Sequence, residues 1–129
     1  MPGVEVGLVT TDLEPMVDFY EGFLELEPQG VVEFEGGSQR RYSLGANVLK
    51  LVSYDVAPEA PVAPGGGRAQ AGLRYFTLGV NKLSVVAEAF EAAGHRIVEP
   101  PTEFAPVPGM GYMFVADPDG NHIEFFGPL

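Results

Sequence analysis

The stretch Asp117-Pro118-Asp119-Gly120-Asn121-His122-Ile123-Glu124-Phe125 combines a tight turn with the strand that follows it. Pro118 presets φ and Gly120 supplies a positive φ, so a hairpin is predicted between strands at 112–116 and 122–126. The first strand is a short apolar run, and the second ends in the apolar sequence Phe125-Phe126. The C-terminal end of the chain is therefore predicted to be an antiparallel strand pair.

A plan of strand, helix and three strands occurs twice in the chain, which indicates an α+β fold with an internal duplication. Asp12 and Asn81 stand at the two helix N-cap positions, and Gly94 is expected to end the second helix. Apolar residues three and four apart mark both helices, and strand-like patterns mark the rest. The apolar stripes of the two predicted helices run over 13–24 and 83–90, and the predicted strands are 4–10, 31–35, 40–44, 48–54, 75–80, 96–99, 112–116 and 122–126.

Two stretches rich in proline and glycine interrupt the apolar patterns. The first, 55–71, is expected to be either a spacer or a mobile lid, and the second, 99–111, a stiffer loop. We therefore predict a single domain over 1–129. It has module one at 1–54, a linker at 55–71 and module two at 72–129.

Composition excludes several classes of function. The 129 residues contain 18 acidic and seven basic side chains, a formal charge of −11, which disfavours nucleic acids and anionic membranes as partners. The absence of cysteine excludes disulfides, thiolate metal sites and a cysteine nucleophile. The first residues, from Met1, do not form a basic stretch followed by an apolar run, and no apolar stretch is long enough to span a membrane. We expect a cytoplasmic protein.

Strand alternation identifies candidate site residues. His122 and Phe126 are expected to share the face of Glu124 that points away from the helix. Of the neighbours Arg40 and Arg41, one is expected to point outward, where it could contact a carboxylate or phosphate. A charge in mid-strand needs a partner if it is enclosed, and the alternative is an ordinary exposed position on an open sheet. Four strands each contribute one polar side chain to the free face: Glu5, Lys50, Tyr75 and Glu124.

Three stretches, Gly7–Glu14, Asp18–Tyr20 and Asp117–Phe125, resemble a known family. They are similar to the vicinal oxygen chelate superfamily, which has the fold of glyoxalase I, bleomycin-binding proteins, fosfomycin-resistance proteins and extradiol dioxygenases. The resemblance covers nearly the whole chain, and it implies two tandem β-α-β-β-β modules that form a cup-shaped mixed sheet. Glu25 stands where the family usually ends its first helix with glycine.

In the metal-dependent members of that superfamily, four strands each supply one ligand, typically His, an optional Glu, His and Glu. The corresponding residues here are Glu5, Lys50, Tyr75 and Glu124, of which only Glu124 matches. A lysine is a cation, and a tyrosine is a poor ligand unless it is ionised. The resemblance thus implies no metal cofactor, and a divalent ion, if bound, would use Glu5, His122 and Glu124. We hypothesise that Lys50 replaces the ion and pairs with Glu124 and Glu5.

The function expected from the resemblance is metal-independent binding of a small hydrophobic or cationic molecule of antibiotic type. The alternative is a metal-dependent glyoxalase-like lyase, isomerase or dioxygenase with an unorthodox ligand set, and a third possibility is an interaction module without a ligand. No catalytic residue is identified. The resemblance and the exposed sheet edges imply a homodimer. The expected ligand-binding residues are Glu5, Lys50, Tyr75, Tyr112, His122, Glu124 and Phe126.

Overall fold

A computed structural model describes residues 3–129, so Met1 and Pro2, part of the start of the chain considered above, lie outside it. The chain divides into two compact units, of which the first ends at Pro61 and the second spans Val62–Leu129. Each unit contains one four-stranded sheet. No helix in this described part of the chain is both long and apolar enough to cross a membrane.

The first unit has the predicted order of strand, helix and three strands. Its sheet has the strand order β1-β4-β3-β2, with β1 parallel to β4 and the other neighbours antiparallel. The helix begins as an α-helix and continues as a π-helical segment. The elements are β1 (Glu5–Val9), α1 (Leu13–Val17), the π-helical segment (Asp18–Phe23), β2 (Glu27–Phe34), β3 (Gly37–Leu44) and β4 (Asn47–Tyr54).

The second unit repeats this topology, which confirms the predicted α+β fold and its duplication. Its sheet has the order β5-β8-β7-β6, and again the first pair is parallel and the others are antiparallel. A one-turn helix, α2, precedes the sheet and lies inside the segment that was predicted as a linker. The elements are α2 (Gly66–Ala69), β5 (Tyr75–Gly79), α3 (Leu83–Ala93), β6 (Ile97–Glu103), β7 (Met110–Ala116) and β8 (His122–Pro128).

Most strands are longer than predicted, and two of them, β2 and β6, extend across prolines that were expected to lie outside strands. β2 begins at Glu27 instead of residue 31, and β6 continues to Glu103, so the predicted loop over 99–111 is partly strand. Both strands lie at a sheet edge, and the pairing of each shifts register beside its prolines. An edge strand with a bulge tolerates a residue that lacks an N–H donor, which the sequence pattern did not reveal.

The predicted N-cap position of the first helix is confirmed, and that of the second helix differs by one residue. Asp12 occupies the first N-cap position without a side-chain hydrogen bond, and its N–H instead donates to the Thr10 hydroxyl at 3.1 Å. In the second unit Lys82, not Asn81, occupies the N-cap position. The predicted end at Gly94 is confirmed, since its φ is 73° and the following N–H donates to the Phe90 carbonyl.

The predicted alternation of faces is confirmed in the central strands. Leu49, Leu51, Ile123 and Phe125 are buried, whereas Val48 and Lys50, on the opposite face of β4, are accessible in part. Val52 lies on the same face as Lys50, next to Gly7, and is nevertheless buried by its neighbours. On the helix side, buried aromatic and aliphatic side chains form the core of each unit.

One polar contact crosses the core of the first unit. The Tyr42 hydroxyl donates to Glu21 Oε1 at 3.1 Å, which links β3 to the π-helical segment. Burial, followed by the charge of Glu21, raises the pKa of Tyr42 to about 12. The hydroxyl therefore stays a hydrogen-bond donor over the physiological range.

Glu25 adopts the left-handed backbone conformation that favours glycine, with φ of 57°. Replacing Glu25 by glycine is expected to stabilise the protein by about 0.5–1 kcal/mol, because glycine has no Cβ to clash in this conformation. The midpoint of urea denaturation measures the change. Gly94→Ala is the matched control, since Gly94 has φ of 73° and open space around it, and it should cost about 1 kcal/mol. A loss of stability in Glu25→Gly would contradict the interpretation.

Candidate functional sites

The free face of the first sheet carries a row of three residues from three adjacent strands. Lys50 on β4 is in register with Gly7 on β1 and with Arg41 on β3. Residues that pair across strands point to the same face of a sheet. Two cationic side chains therefore lie next to each other, beside a position without a side chain.

Glu5 neutralises part of this charge. Arg41 Nη1 and Nη2 donate to the two carboxylate oxygens of Glu5 at 3.1 and 2.9 Å, a bidentate pair. Lys50 Nζ donates to Glu5 Oε1 at 3.2 Å, and Gln39 Oε1 accepts a further hydrogen bond from Arg41 at 2.7 Å. We call Glu5, Gln39, Arg41 and Lys50 the cationic cluster, since it contains two positive charges and one negative charge.

The cluster keeps Glu5 ionised. Its pKa is lowered to about 2, chiefly by the hydrogen bonds from Arg41 and then by the one from Lys50. Gly7 contributes through its missing side chain, because a Cβ there would lie 3.5 Å from Lys50 Cε and 3.8 Å from its Cγ. The stem of Lys50 therefore lies over Gly7.

The free face of the second sheet forms one side of a cavity of about 690 Å³. Its walls are rich in aromatic rings, of which Tyr75 packs edge-on against Phe114 at 5.0 Å between centroids and Phe104 against Phe126 at 5.7 Å. We call it the aromatic cavity. It is lined by Gly65, Gly67, Arg68, Tyr75, Val98, Glu99, Glu103, Phe104, Ala105, Tyr112, Phe114, His122, Glu124 and Phe126.

Three carboxylates line the aromatic cavity, and two of them are oriented by hydroxyl groups. The Thr77 hydroxyl donates to Glu124 Oε1 at 2.7 Å, and the Tyr112 hydroxyl donates to Glu99 Oε1 at 3.3 Å. Desolvation, and then the charge of Glu99, raises the pKa of Tyr112, so the phenol stays protonated and donating. Glu103 is the third acidic residue.

His122 lies at one end of the aromatic cavity under a glycine segment. A Cβ on Gly66 would overlap the His122 ring, and Gly66 also has φ of 61°. Arg74 holds the segment in place, because its guanidinium donates to the carbonyls of Gly66, Ala63 and Pro64 at 2.9–3.3 Å. Burial first, and then the charges of Arg96 and Arg74, lower the pKa of His122.

The turn that leads into β8 is organised by Asp117. Its Oδ1 accepts the N–H groups of Asp119 and Asn121 at 3.0 and 2.9 Å, and its Oδ2 accepts the Asn121 side chain at 2.8 Å. Gly120 has the predicted positive φ of 93°. This buried carboxylate fixes the start of the strand that carries His122 and Glu124.

The structure brings the predicted site residues together in two sets. Glu5 and Lys50 contact each other in the first unit. Five predicted residues of the second unit line one cavity. The pairing of Lys50 with Glu124 would join the two units and stays a prediction. The five that line the aromatic cavity are Tyr75, Tyr112, His122, Glu124 and Phe126.

Sequence reasoning missed several functional residues. For Arg41 the expectation was only that it or Arg40 would point outward, where it could contact a carboxylate or phosphate. Its pairing with Glu5 depends on the register between β3 and β4, which no local pattern specifies. Phe104 was assigned to a loop, although it directly follows β6, and Glu99 was placed at the end of a strand but was not recognised as a site residue.

Within residues 3–129, no three acidic or histidine side chains are placed so that they could hold a metal ion together. At the cationic cluster, Arg41 and Lys50 would repel a divalent ion from Glu5. In the aromatic cavity, Glu124 shares its strand face with His122, but the facing positions on β5 carry Tyr75 and Thr77. The side chains in each unit therefore fit a divalent ion poorly.

The chain matches the sequence model of one known protein family. A sequence model described as the Glyoxalase/Bleomycin resistance protein/Dioxygenase superfamily matches residues 4–125. A comparison with curated protein sequences finds no match.

Solved structures from several organisms share the fold. A glyoxalase family protein from Bacillus cereus is 13% identical with a TM-score of 0.79, covering 100% of this chain and 95% of that one. Glyoxalase I from Zea mays is 16% identical with a TM-score of 0.76, covering 99% of this chain and 47% of that one. A fosfomycin resistance protein from Mesorhizobium loti is 16% identical with a TM-score of 0.62, covering 94% and 86%. At these identities the likeness concerns the fold alone.

The ion pairs of Glu5 predict an unusual acid titration. Glu5 should titrate near pH 2 by carbon-detected NMR, because both cations favour the ionised carboxylate. Since the folded pKa lies below the unfolded value, the stabilisation is present above about pH 4.5 and is lost as the pH falls towards 2. Arg41→Gln should raise the Glu5 pKa more than Lys50→Met does. Lys82→Met, a change on the other unit, is the control and should leave it unchanged.

The contact between Gly66 and His122 predicts a sharp effect of adding one methyl group. Gly66→Ala should destabilise the second unit by about 2 kcal/mol, because the Cβ would overlap the imidazole ring and the backbone would be strained. Thermal unfolding measures the loss, and the NMR shifts of the His122 ring report its displacement. Gly72 also has a positive φ, of 111°, but nothing lies within 4 Å of its position for a Cβ, so Gly72→Ala should leave the His122 ring unmoved. Identical ring shifts in the two variants would contradict the contact.

Proposed function

Because this chain belongs to the glyoxalase/bleomycin resistance protein/dioxygenase superfamily, we propose that it binds a small organic molecule without a metal ion. The proposed site is the aromatic cavity of the second unit. The proposed ligand is an organic cation with an apolar or aromatic body. The proposal rests chiefly on one observation, namely that this cavity combines aromatic walls with three carboxylates.

The size and lining of the aromatic cavity support this class of ligand. A volume of about 690 Å³ is in the range typical of pockets for small molecules, about 300–1,000 Å³. Aromatic rings supply apolar contact and an electron-rich face for a cation, worth about 0.5–2 kcal/mol per contact. Four rings suited to this role are Tyr75, Phe104, Phe114 and Phe126.

Charge supports the cationic part of the proposal. Glu99, Glu103 and Glu124 line the cavity, whereas Arg68 is its one lysine or arginine within the described residues. His122 adds little positive charge, because burial and two arginines lower its pKa. The excess of negative charge favours a cation over an anion at this face.

The metal-independent part of the proposal rests on the donor groups. Glu5, the first of the four ligand positions, already pairs with two cations, and Lys50 occupies the second. Tyr75 and Glu124 occupy the other two positions, and one carboxylate with a phenol is a weak set for a divalent ion. A metal-dependent lyase, isomerase or dioxygenase remains the competing function, and metal analysis separates the two.

Titration of benzyltrimethylammonium into chelator-treated protein should show binding with a Kd on the order of 0.1–1 mM, as expected for a ligand of this size. Benzyl alcohol, which lacks the charge, should bind at least tenfold more weakly. Glu124→Gln and Phe126→Ala should each weaken binding of the cation about tenfold, because they remove a charge and a ring. Isothermal titration calorimetry measures the affinity of the wild-type protein for both ligands and the affinity of each variant for the cation.

Phe34→Ala and Glu35→Gln, on the first unit, are the matched controls and should leave the affinity unchanged. Metal analysis of protein purified without chelators completes the test. Near-stoichiometric zinc, nickel, iron or manganese, with ligand binding lost after chelation, would favour the enzyme. Equal affinities for the cation and for benzyl alcohol would contradict the proposed role of the carboxylates.

The proposal includes the assembly and location expected from the sequence, a cytoplasmic homodimer. The edge strands β2 and β6 each leave one side without a partner strand within the sheets of residues 3–129. Such edges are commonly covered by a second chain or by side chains that block pairing. Light scattering at micromolar concentration tests the dimer, and a monomeric mass would contradict it.

A further inference from the structure

The cationic cluster of the first unit has the features of a second binding site. We propose that it binds the carboxylate group of an organic anion through Arg41 and Lys50, in competition with the side chain of Glu5. This site lies in a different unit from the aromatic cavity and has the opposite charge, so the inference does not depend on the proposed function.

The geometry of a bound carboxylate is already present in the structure. Glu5 is held by both terminal nitrogens of Arg41 at 3.1 and 2.9 Å and by Lys50 at 3.2 Å. A planar carboxylate matches the fork of a guanidinium group, whereas an ammonium group adds a charge without directional preference. The Glu5 side chain is 44% exposed, so it can rotate into solvent and leave this position to a ligand.

The two cations have donors to spare. A guanidinium group has five N–H donors and an ammonium group three. Among the described residues, hydrogen bonds to Glu5 and Gln39 use three donors of Arg41, and Glu5 uses one of Lys50. The side chains of Arg41 and Lys50 are 22% and 28% exposed. Both can therefore reach a ligand that approaches the free face of the sheet.

The surroundings leave room for the body of the ligand. Gly30 pairs with Arg41 at one end of the row and Gly7 pairs with Lys50 at the other, so neither end carries a side chain. In the next row of the same face, Val9 and Val32 are exposed at the two sheet edges, with Val52 and Gln39 between them. An organic carboxylate can therefore place its charged end on the cluster and its apolar part against one of these valines.

Comparison of the two repeats shows that the cationic character is specific to the first unit. Lys50 occupies the position in β4 that Glu124 occupies in β8, since each pairs with the third residue of the preceding parallel strand. Arg41, which pairs with Lys50, corresponds to Phe114, which pairs with Glu124. The same framework thus presents cations in one unit and an acid with an aromatic ring in the other.

Benzoate and inorganic phosphate are suitable probes, measured by NMR titration of backbone amides at low salt. The wild-type protein should bind benzoate with a Kd on the order of 1–10 mM, with shifts at Arg41, Lys50 and Gly7. Arg41→Gln should weaken binding at least tenfold. Glu5→Gln should tighten it about tenfold, because it removes the competing carboxylate. Lys82→Met, a lysine of the second unit, is the control for loss of one positive charge.

The variant Glu5→Gln gives the decisive result, since a merely structural ion pair would predict no gain in affinity when Glu5 is neutralised. Absence of benzoate shifts at the cluster in both wild type and Glu5→Gln would overturn the proposal. Tighter binding of phosphate than of benzoate would overturn the assignment to a carboxylate. If Arg41→Gln and Lys82→Met lowered the affinity for benzoate equally, the effect would be one of net charge, and the proposal would be overturned. Failure of benzyltrimethylammonium to bind would count against the aromatic cavity alone.

Discussion

The parallel pairing of the first and last strand in each repeat governs the rest of the structure. β1 with β4, and β5 with β8, form hydrogen-bonded pairs in a fixed register. Because side chains alternate, one face of each pair is buried beneath a helix and the other remains free. A shift of one residue would exchange the two faces, so the buried leucines of β4 and the charge of Lys50 specify the register together.

Two repeats with one topology have acquired opposite chemistry on their free faces. In the first, a carboxylate is bound by two cations, and in the second, carboxylates stand among aromatic rings. The buried faces change much less in character, since both consist of aliphatic and aromatic side chains. Substitutions on the free face therefore alter binding chemistry at little cost to the core, which is how one fold accommodates unrelated ligands.

Much of this arrangement could be predicted from local sequence, and the remainder depends on contacts that are distant in the chain. Alternation placed Glu5, Lys50 and Glu124 on free faces correctly, and Gly94 and Gly120 marked a helix end and a turn. The contact of Arg41 with Glu5 joins residues 36 positions apart and needs the register of two strand pairs. The prolines of β6 suggested a loop, because a bulged edge strand cannot be recognised without its partner.

The hydrogen bonds of Arg74 have a consequence for the connection between the repeats. By binding the carbonyls of Ala63, Pro64 and Gly66, this arginine attaches the later part of the connecting segment to the second unit. The covalent bridge between the units is then reduced to the few residues from Asp55 to Pro61. Cleavage of the chain within that bridge would leave both hydrogen-bonded sheets complete, so each half retains every strand of its own sheet as a separate polypeptide.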